Sequence, residues 1–354
     1  MKKNITILLV MFLVPLFCGA QDVSEVDDID VVPQILYPED TVAGYRPKVG
    51  LVLGGGGAKG AAHAGALKAI EESGIRIDCI AGTSIGAIVG GMYAVGYTAD
   101  DIQALFRSQE WLSLLSDRVD SLKYDIFTKD KDGVTYVFGI PISRKGTKKE
   151  NSSFGAIPGD KIQALFNRLI DAKIDVPRDK KGVRVMDMAF DSLPIPFRCV
   201  AADVRSMEEI DFEEGDLGKA MRASMAIPGL FKTVPYDGRS LIDGGVVNNL
   251  PADLVKAMGA DIIIAVDLSQ NKPDDDGTDY NILNLGGIIG WALSRPDMRK
   301  YRENREVCDV YINPNLGGYG TMSFSEKAVN EMISMGYKEA KKILGKVNLD
   351  KIKK

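Results

Sequence analysis

The chain has 354 residues, of which 45% are hydrophobic, and a formal net charge of −5 at pH 7. This length and composition allow a substantial buried core, in one large domain or two small ones. The acidic balance argues against a general nucleic-acid surface, which needs clustered Lys and Arg to neutralise phosphates. We therefore expect a globular protein that has no nucleic-acid partner.

The first residues, MKKNITILLVMFLVPLFCGAQ, have the pattern of a secretory signal peptide. Two lysines precede an apolar run at 5–17, which is shorter than the about 20 apolar residues that a membrane span needs. We predict a signal peptide over residues 1–20 with cleavage after Ala20. The protein would then reach the periplasm, the outer membrane or the medium. An uncleaved anchor, or a lipoprotein modified at Cys18, is the alternative.

Residues 21–45 are acidic and lack a periodic pattern, which predicts an N-terminal arm of low order. Beyond the leader, three cysteines remain at wide spacing inside apolar stretches: Cys79, Cys199 and Cys308. This spacing fits neither a disulfide framework nor a zinc site. We expect buried thiols, no metal and no cofactor.

From Lys48 onward, short buried strands alternate with helix-like patterns. The pattern predicts strands at 48–54, 78–82, 197–204, 208–215, 239–245 and 261–269, and helices at 61–72, 85–95, 99–109, 159–170, 217–226, 251–258 and 323–344. Such alternation is typical of a mainly parallel sheet that is covered by helices on both faces.

Three segments interrupt this alternation. Residues 121–150 are polar with one strand-like piece at 133–142, and we predict an insertion or lid that covers or edges the core. The acidic stretch 271–280 lacks the ligand spacing of an EF-hand, which favours a solvated loop over a calcium site. Residues 282–294 predict a buried helix, with a membrane-contacting surface as the alternative.

Ser84 lies in the sequence GTSIG, which fits G-x-S-x-G, follows an apolar strand and opens an apolar helix. This is the context of a nucleophile elbow, in which a sharp strand-to-helix turn exposes the hydroxyl and flanking glycines relieve crowding. A helix N-cap beside a glycine turn is the alternative, because Ser and Thr favour such caps. Ser84 is the candidate nucleophile, supported by Gly82 and Gly86.

A serine nucleophile needs a base, and His63 is the only histidine in the chain. Its position ahead of the serine is unlike the order of an α/β-hydrolase triad, so we interpret it as a packing or loop-orienting residue. Asp243 ends another apolar strand, and Gly244 and Gly245 after it leave room for close approach. A carboxylate within hydrogen-bond reach can act as a general base. An Asx-turn before two glycines explains Asp243 equally well in isolation.

The third motif is GGGGAKG at 54–60, between a strand and a helix. Backbone N–H groups can converge there on an anion, including a developing oxyanion. The same letters match the dinucleotide fingerprint G-x-G-x-x-G, but the acid expected at the end of the second strand is absent, since Asp78 begins that strand. A Walker A site fails because Gly60, rather than Ser or Thr, follows Lys59.

Together, GGGGAKG, GTSIG and DGG resemble the patatin-like phospholipase family, in particular its bacterial exported members. The resemblance extends over about 46–344 and includes the block RASMAIPG. It implies a three-layer α/β/α fold with a mainly parallel central sheet, a hydrolase domain at 46–354 and a Ser84–Asp243 dyad. It also implies an oxyanion loop formed by Gly55, Gly56, Gly57 and Lys59, with Arg222 and Pro228 ordering the site.

The resemblance implies a serine esterase or phospholipase that hydrolyses acyl esters of lipids through an acyl-serine, without a metal. It further implies a lipid ester substrate and a membrane surface as partners, and leaves open a homodimer. A catalytically silent lipid-binding domain, and a peptidase or acyltransferase with the same dyad, are the alternatives. The chain is either a free exported enzyme or one piece of a longer protein. Candidates for the acyl path, or for plain core, are Ile227, Leu230, Phe231 and Trp291.

Overall fold

A computed structural model describes residues 46–108, 111–116, 127–129, 135–137, 140–142, 157–185, 187–269 and 298–348. Several predicted features lie outside these ranges: the signal peptide, the acidic arm, most of the 121–150 insertion, the 271–280 loop, the 282–294 helix and Trp291. They stay predictions from the sequence.

The described strands are β1 (Val49–Leu53), β2 (Cys79–Thr83), β3 (Phe127–Lys129), β4 (Thr135–Val137), β5 (Ile140–Ile142), β6 (Met188–Ala189), β7 (Phe197–Asp203), β8 (Glu209–Phe212), β9 (Glu214–Gly215), β10 (Val234–Tyr236), β11 (Arg239–Asp243), β12 (Ile262–Val266) and β13 (Val310–Ile312). The described helices are α1 (Ala61–Glu72), α2 (Ile85–Ala94), α3 (Ala99–Ser108), α4 (Trp111–Ser116), α5 (Asp160–Asp171), α6 (Leu217–Ser224), α7 (Ala252–Ala257), α8 (Met298–Glu306) and α9 (Glu326–Leu344). Short 3₁₀ turns occupy Gly57–Gly60, Phe190–Ser192 and Gly244–Val246.

The main sheet has the strand order β10-β11-β7-β2-β1-β12-β13, with β8 paired to β7. The run from β7 to β13 is parallel throughout. Strands β8, β10 and β11 join by antiparallel pairing. The predicted mainly parallel sheet is therefore confirmed.

Side chains of the central strands alternate between two hydrophobic clusters, because successive residues of a strand point to opposite faces. Leu51 and Leu53 of β1 belong to the larger cluster, with α1, α2, α3, α5, α6 and α9. Val52 belongs to the smaller cluster, with Val255 of α7 and Tyr301 of α8. Helices thus cover both faces of the sheet, which confirms the three-layer α/β/α fold.

Helices α1 and α9 approach each other closely on the larger face. A Cβ atom on Gly336 of α9 would lie 2.0 Å from the carbonyl oxygen of Ala62, and one on Gly65 of α1 would lie 1.9 Å from that of Ile333. Only glycine fits at such a crossing. This packing fixes the start of α9, and with it the loop at 316–324, beside the glycine loop that follows β1.

Some predicted elements differ in detail from the observed ones. The strand-like piece at 133–142 forms two strands, β4 and β5, which pair antiparallel with Val137 opposite Ile140. The predicted strand at 208–215 is divided between β8 and β9. Helix α8, MRKYRENRE, was not predicted because it is almost entirely polar and carries little apolar periodicity.

Two of the three cysteines are buried, as predicted from the sequence. Cys79 and Cys199 are buried, whereas Cys308 is partly exposed. No helix in the described ranges is both long and apolar enough to cross a bilayer. Within those ranges, no cluster of three or more His, Cys, Asp or Glu side chains is arranged to hold a metal ion.

Candidate active site

The register of the sheet brings two distant strand ends together. Thr83, the last residue of β2, lies opposite Val200 of β7. Asp243, the last residue of β11, lies opposite the next residue of β7, Ala201. Ser84 and Asp243 are thus at the same level of the sheet on either side of β7, although β11 runs antiparallel.

Ser84 forms a tight strand-to-helix turn with φ 55° and ψ −121°. A non-glycine residue in such a conformation carries about 1–3 kcal/mol of strain. A Cβ atom on Gly82 would lie 2.3 Å from the carbonyl oxygen of Gly86, and one on Gly86 would lie 2.0 Å from that of Leu53. Both glycines are therefore required by close backbone approach at this elbow.

The Ser84 side chain does not cap helix α2. Its Oγ instead donates a hydrogen bond to Oδ2 of Asp243, at 2.7 Å. The other carboxylate oxygen, Oδ1, accepts the N–H of Gly245 at 2.8 Å. Asp243 therefore makes the Asx-turn that its sequence suggests and still presents one oxygen to the serine.

The Asp243 carboxyl is fully buried and Ser84 is 3% exposed. Burial raises the pKa of Asp243 from 3.8 to about 7, although the hydrogen bonds from Ser84 and Gly245 act in the opposite direction. The carboxylate is the minor form under acidic conditions and the major form above neutral pH. A base that titrates near neutrality is well matched to proton transfer under physiological conditions.

The segment from Ser224, the last residue of α6, to Pro228 contacts both members of this pair through hydrogen bonds. Ser224 Oγ accepts the backbone N–H of Ser84 at 2.9 Å. The carbonyl oxygen of Ala226 accepts the backbone N–H of Asp243, also at 2.9 Å. Pro228 is buried in the turn that follows.

Arg222 anchors the same segment from within α6. Its side chain is 2% exposed. The guanidinium donates to the carbonyl oxygens of Pro158 and Lys232 and lies over the ring of Phe231, with its carbon 4.9 Å from the centroid. Arg222 thus ties α6 to the start of α5 and to the chain beyond Pro228.

The glycine loop lies beside Ser84, and its N–H groups divide into two sets. Gly55 donates its N–H to the carbonyl oxygen of Asn249 at 3.2 Å, so this group is already used within the protein. Gly56 and Gly57 are half-buried, and their N–H groups have no hydrogen-bond partner among the described residues. Lys59 is half-buried in the 3₁₀ turn that follows.

Two residues from other parts of the chain hold this loop in place. Thr321 accepts the N–H of Ala58 at 2.8 Å, and its carbonyl oxygen would lie 2.5 Å from a Cβ atom on Gly57, whose φ is +60°. The side chain of Asn249 leaves no room at Gly55, where a Cβ atom would lie 2.3 Å from Asn249 Oδ1. These glycines are therefore needed for both conformation and space.

His63 contacts the loop rather than the serine. Its Nε2 lies 2.8 Å from the carbonyl oxygen of Gly54, and its Nδ1 has no partner among the described residues. Burial lowers the pKa of His63 to about 4, so the imidazole is neutral and Nε2–H donates to Gly54. This is the geometry of a loop-orienting residue.

An apolar cavity opens next to Ser84. The residues that line it are Gly57, Ser84, Ile85, Ile88, Trp111, Leu115, Ile162, Met225, Ile227, Leu230, Phe231, Thr321, Met322 and Phe324. Three of the apolar residues proposed for the acyl path are among them, and Trp291 lies outside the described residues. Within the part of the lining that the described residues form, only Ser84 and Thr321 carry side-chain hydroxyls, so the cavity suits a hydrocarbon chain beside the Ser84 hydroxyl.

A family model described as patatin-like phospholipase matches residues 51–256, more than half of the chain. The chain belongs to the patatin-like phospholipase family. The match contains all three sequence motifs and ends just before α7 is complete. Thr321, which contacts the glycine loop, lies outside it.

Several curated proteins are similar to this patatin-like chain. Patatin-like phospholipase domain-containing protein ZK370.4 of Caenorhabditis elegans is 34% identical over 250 residues, which are 69% of this chain and 15% of that protein. Human patatin-like phospholipase domain-containing protein 6 is 28% identical over 321 residues, 84% of this chain and 20% of that protein. Lysophospholipase nte1 of Neosartorya fischeri is 27% identical over 324 residues, 85% of this chain and 18% of that protein. The chain thus spans about a fifth of the length of these relatives or less.

Among solved structures, VipD from Legionella pneumophila aligns with a TM-score of 0.49 and 18% sequence identity. The alignment covers 91% of this chain and 72% of that chain.

Sequence reasoning missed three residues that contact the site. Ser224 lies in the RASMAIPG block, between two residues that were singled out, and its hydroxyl was the available signal. Asn249 lies four positions after the last glycine of DGG, and its signal was a polar side chain in an otherwise apolar stretch. Thr321 had no signal in the sequence, because its contact with the loop depends on how α9 packs.

Proposed function

We propose that this chain is a serine hydrolase that cleaves acyl esters of phospholipids or lysophospholipids through a Ser84–Asp243 dyad. The observation that carries the proposal is the 2.7 Å contact between Ser84 Oγ and Asp243 Oδ2 at one side of an apolar cavity. The family and the name of one relative, lysophospholipase, support the choice of a lipid ester as substrate.

Acylation begins with Asp243 in its carboxylate form. As Ser84 Oγ forms a bond to the ester carbonyl carbon, its proton passes to Asp243 and the carbonyl electron pair moves onto oxygen. The N–H groups of Gly56 and Gly57 are the donors that we assign to this oxyanion, since that of Gly55 is occupied by Asn249. Collapse breaks the ester C–O bond, and the leaving alcohol or lysolipid takes the proton from Asp243.

Deacylation repeats these steps with water. Asp243 accepts a proton from water as the oxygen attacks the acyl-serine carbonyl carbon. Collapse of the second tetrahedral intermediate breaks the bond between Ser84 Oγ and the acyl carbon, and Oγ regains a proton from Asp243. The fatty acid is released, and the dyad returns to its starting state.

The test is fatty-acid release from mixed phospholipid vesicles by the mature protein, with a chelator present. We expect release by the wild type and a fall of at least about 10³-fold in Ser84→Ala and Asp243→Asn. Ser73→Ala is the matched control, because it removes a hydrogen-bonded hydroxyl at the end of α1, whose partner is the carbonyl oxygen of Ile70. It is expected to retain wild-type activity.

Wild-type activity in Ser84→Ala would contradict the proposal. A folded wild type that neither releases fatty acid nor forms a covalent adduct at Ser84 with a fluorophosphonate would favour the lipid-binding alternative. Transfer of the acyl group to an added alcohol, faster than to water, would favour the acyltransferase alternative.

A further inference from the structure

Ser224 lies at the end of α6, and its side chain contacts the backbone of the nucleophile, Ser84. Ser224 Oγ accepts the N–H of Ser84 at 2.9 Å, and two residues later the carbonyl oxygen of Ala226 accepts the N–H of Asp243. One three-residue segment therefore holds the backbone of both members of the dyad. No other described segment makes hydrogen bonds to both of these N–H groups.

The Ser84 N–H requires such a partner because of where it lies. The pairing of β2 with β7 ends at Thr83, so the ladder offers nothing to the next residue. The first N–H groups at a helix N-terminus have no partner within the helix. Ser84 is almost completely buried, and an unpaired N–H in that position would be strongly unfavourable.

The direction of the Ser84 side chain depends on this backbone contact. With φ at +55°, Ser84 adopts a conformation that a non-glycine residue leaves readily unless its surroundings fix it. A rotation of the peptide that precedes Ser84 would turn Oγ away from Asp243, and a misplacement of about 1 Å is enough to slow a reaction severely. The hydroxyl of Ser224 opposes that rotation.

Ser224 is itself held rigidly enough to act in this way. Its side chain is fully buried. The helix that carries it begins at an N-cap, where Asp216 accepts the N–H of Lys219 at 3.0 Å, and is anchored near its end by the contacts of Arg222 with Pro158 and Lys232. The acceptor is therefore placed before substrate binds.

We propose that Ser224 is a positioning residue for the nucleophile, whose hydroxyl holds the Ser84 peptide so that Oγ faces Asp243. This inference rests on the proposed function of the Ser84–Asp243 dyad. It assigns Ser224 a role in kcat rather than in substrate binding, since Ser224 acts on the peptide of Ser84 and is absent from the lining of the cavity.

The test compares Ser224→Ala, Ser224→Cys and Ser224→Thr with the wild type and with Ser73→Ala. Alanine removes the acceptor, cysteine fills nearly the same space with a weak acceptor, and threonine keeps the hydroxyl. The measurements are kcat and KM on a soluble acyl ester, the amide hydrogen-exchange rate of Ser84, and the urea unfolding midpoint. Hydrogen exchange reads the contact itself and needs no catalysis.

We expect Ser224→Ala and Ser224→Cys to lower kcat about tenfold with KM within about twofold of wild type, and to speed Ser84 exchange by about the same factor. Ser224→Thr is expected to restore both. A protein that only lost stability would show a lower unfolding midpoint and normal kcat for its folded fraction. The cysteine variant keeps the test valid if the alanine variant does not fold.

Unchanged exchange at Ser84 in both the alanine and the cysteine variants would overturn the inference. So would faster exchange with wild-type kcat, because the contact would then have no effect on the nucleophile. An inactive wild type with fast Ser84 exchange only in these variants would refute the proposed function while keeping the contact, so the two failures are distinguishable.

Discussion

Replacing Asp243 by asparagine should abolish hydrolysis and at the same time stabilise the protein above neutral pH. Among the described residues no cation offsets the loss of water around the buried carboxyl, and its pKa is raised from 3.8 to about 7. Asparagine has nearly the same shape, can accept the N–H of Gly245 through Oδ1 and can donate to Ser84 Oγ through Nδ2. It cannot accept the serine proton.

The sign of the effect follows from which state holds the proton. A raised pKa means that the folded protein keeps the Asp243 proton over a range in which the unfolded chain has already lost it. Well below pH 3.8 both states are protonated and the carboxyl does not change the free energy of unfolding. As pH rises from about 4 to about 7 the wild type progressively loses stability, and above about 7 the loss is constant.

The pKa difference sets the magnitude. Between 3.8 and about 7 the full effect is about 4 kcal/mol, of which about 2 kcal/mol is already present at pH 5. Asparagine does not titrate. The free energy of unfolding of Asp243→Asn, relative to wild type, should therefore rise by roughly 2–3 kcal/mol between about pH 5 and about pH 8.

The assay is urea unfolding of both proteins at several pH values in this range, in parallel with kcat/KM of the wild type. Ser73→Ala serves as the folding and activity control. Other groups that titrate near neutrality, such as Asp211 on β8, are present in all three proteins, so their contributions cancel in the difference. The wild-type rate should rise with pH to a plateau, with a midpoint near 7.

A difference in unfolding free energy that stays flat from about pH 5 to about pH 8 would refute the reasoning, since Asp243 would then be ionised without penalty. A rate profile whose midpoint lies near 4 would refute it independently. If the pH–rate profile and the difference in unfolding free energy have the same midpoint, Asp243 is the group that controls both activity and stability in this pH range.

Three further outcomes are expected. Gly244→Ala should unfold the protein readily, because its Cβ atom would lie 2.3 Å from a backbone carbonyl oxygen of β7. Gly245→Ala should lower the urea midpoint less, because its nearest contacts, at 2.8 and 3.1 Å, are side-chain oxygens that can shift; equal midpoints would contradict this. Cys79 and Cys199 should resist alkylation in the native protein, since burial raises the pKa of both thiols, and rapid labelling of either without urea would be the contrary result. N-terminal sequencing of the exported protein should begin at Gln21, and an intact leader would contradict the predicted cleavage.

The elements that were predicted well are those whose pattern is local. The buried runs at β1 and β2 and the helices α1 and α2 have apolar residues at the spacing of their own secondary structure, so their bounds differ from the prediction by at most one residue. Strand β12 was also recognised, although it ends three residues before its predicted end. Strand β13 has three residues and helix α8 is nearly all polar, so neither has enough periodic signal to be recognised. Their place in the fold comes from packing against residues far along the chain.

For the site itself, the sequence determined the chemical types and their local geometry. A serine between two glycines after a buried strand indicates an elbow, and an aspartate before two glycines at the end of another strand indicates a candidate base. The four-glycine run indicates exposed backbone N–H groups. Each of these inferences depends on a few adjacent residues, whose allowed backbone conformations are set by their own side chains.

Only the tertiary structure decided how these parts act together. Ser84 and Asp243 are 159 positions apart in sequence, and their contact depends on the register of β11 and β2 with β7. Burial at that point, and not the aspartate's neighbours in sequence, raises its pKa. The choice of Gly56 and Gly57 over Gly55 as free donors depends likewise on contacts from remote segments. Distance, desolvation and hydrogen-bond competition are properties of the packed molecule, so local sequence cannot specify them.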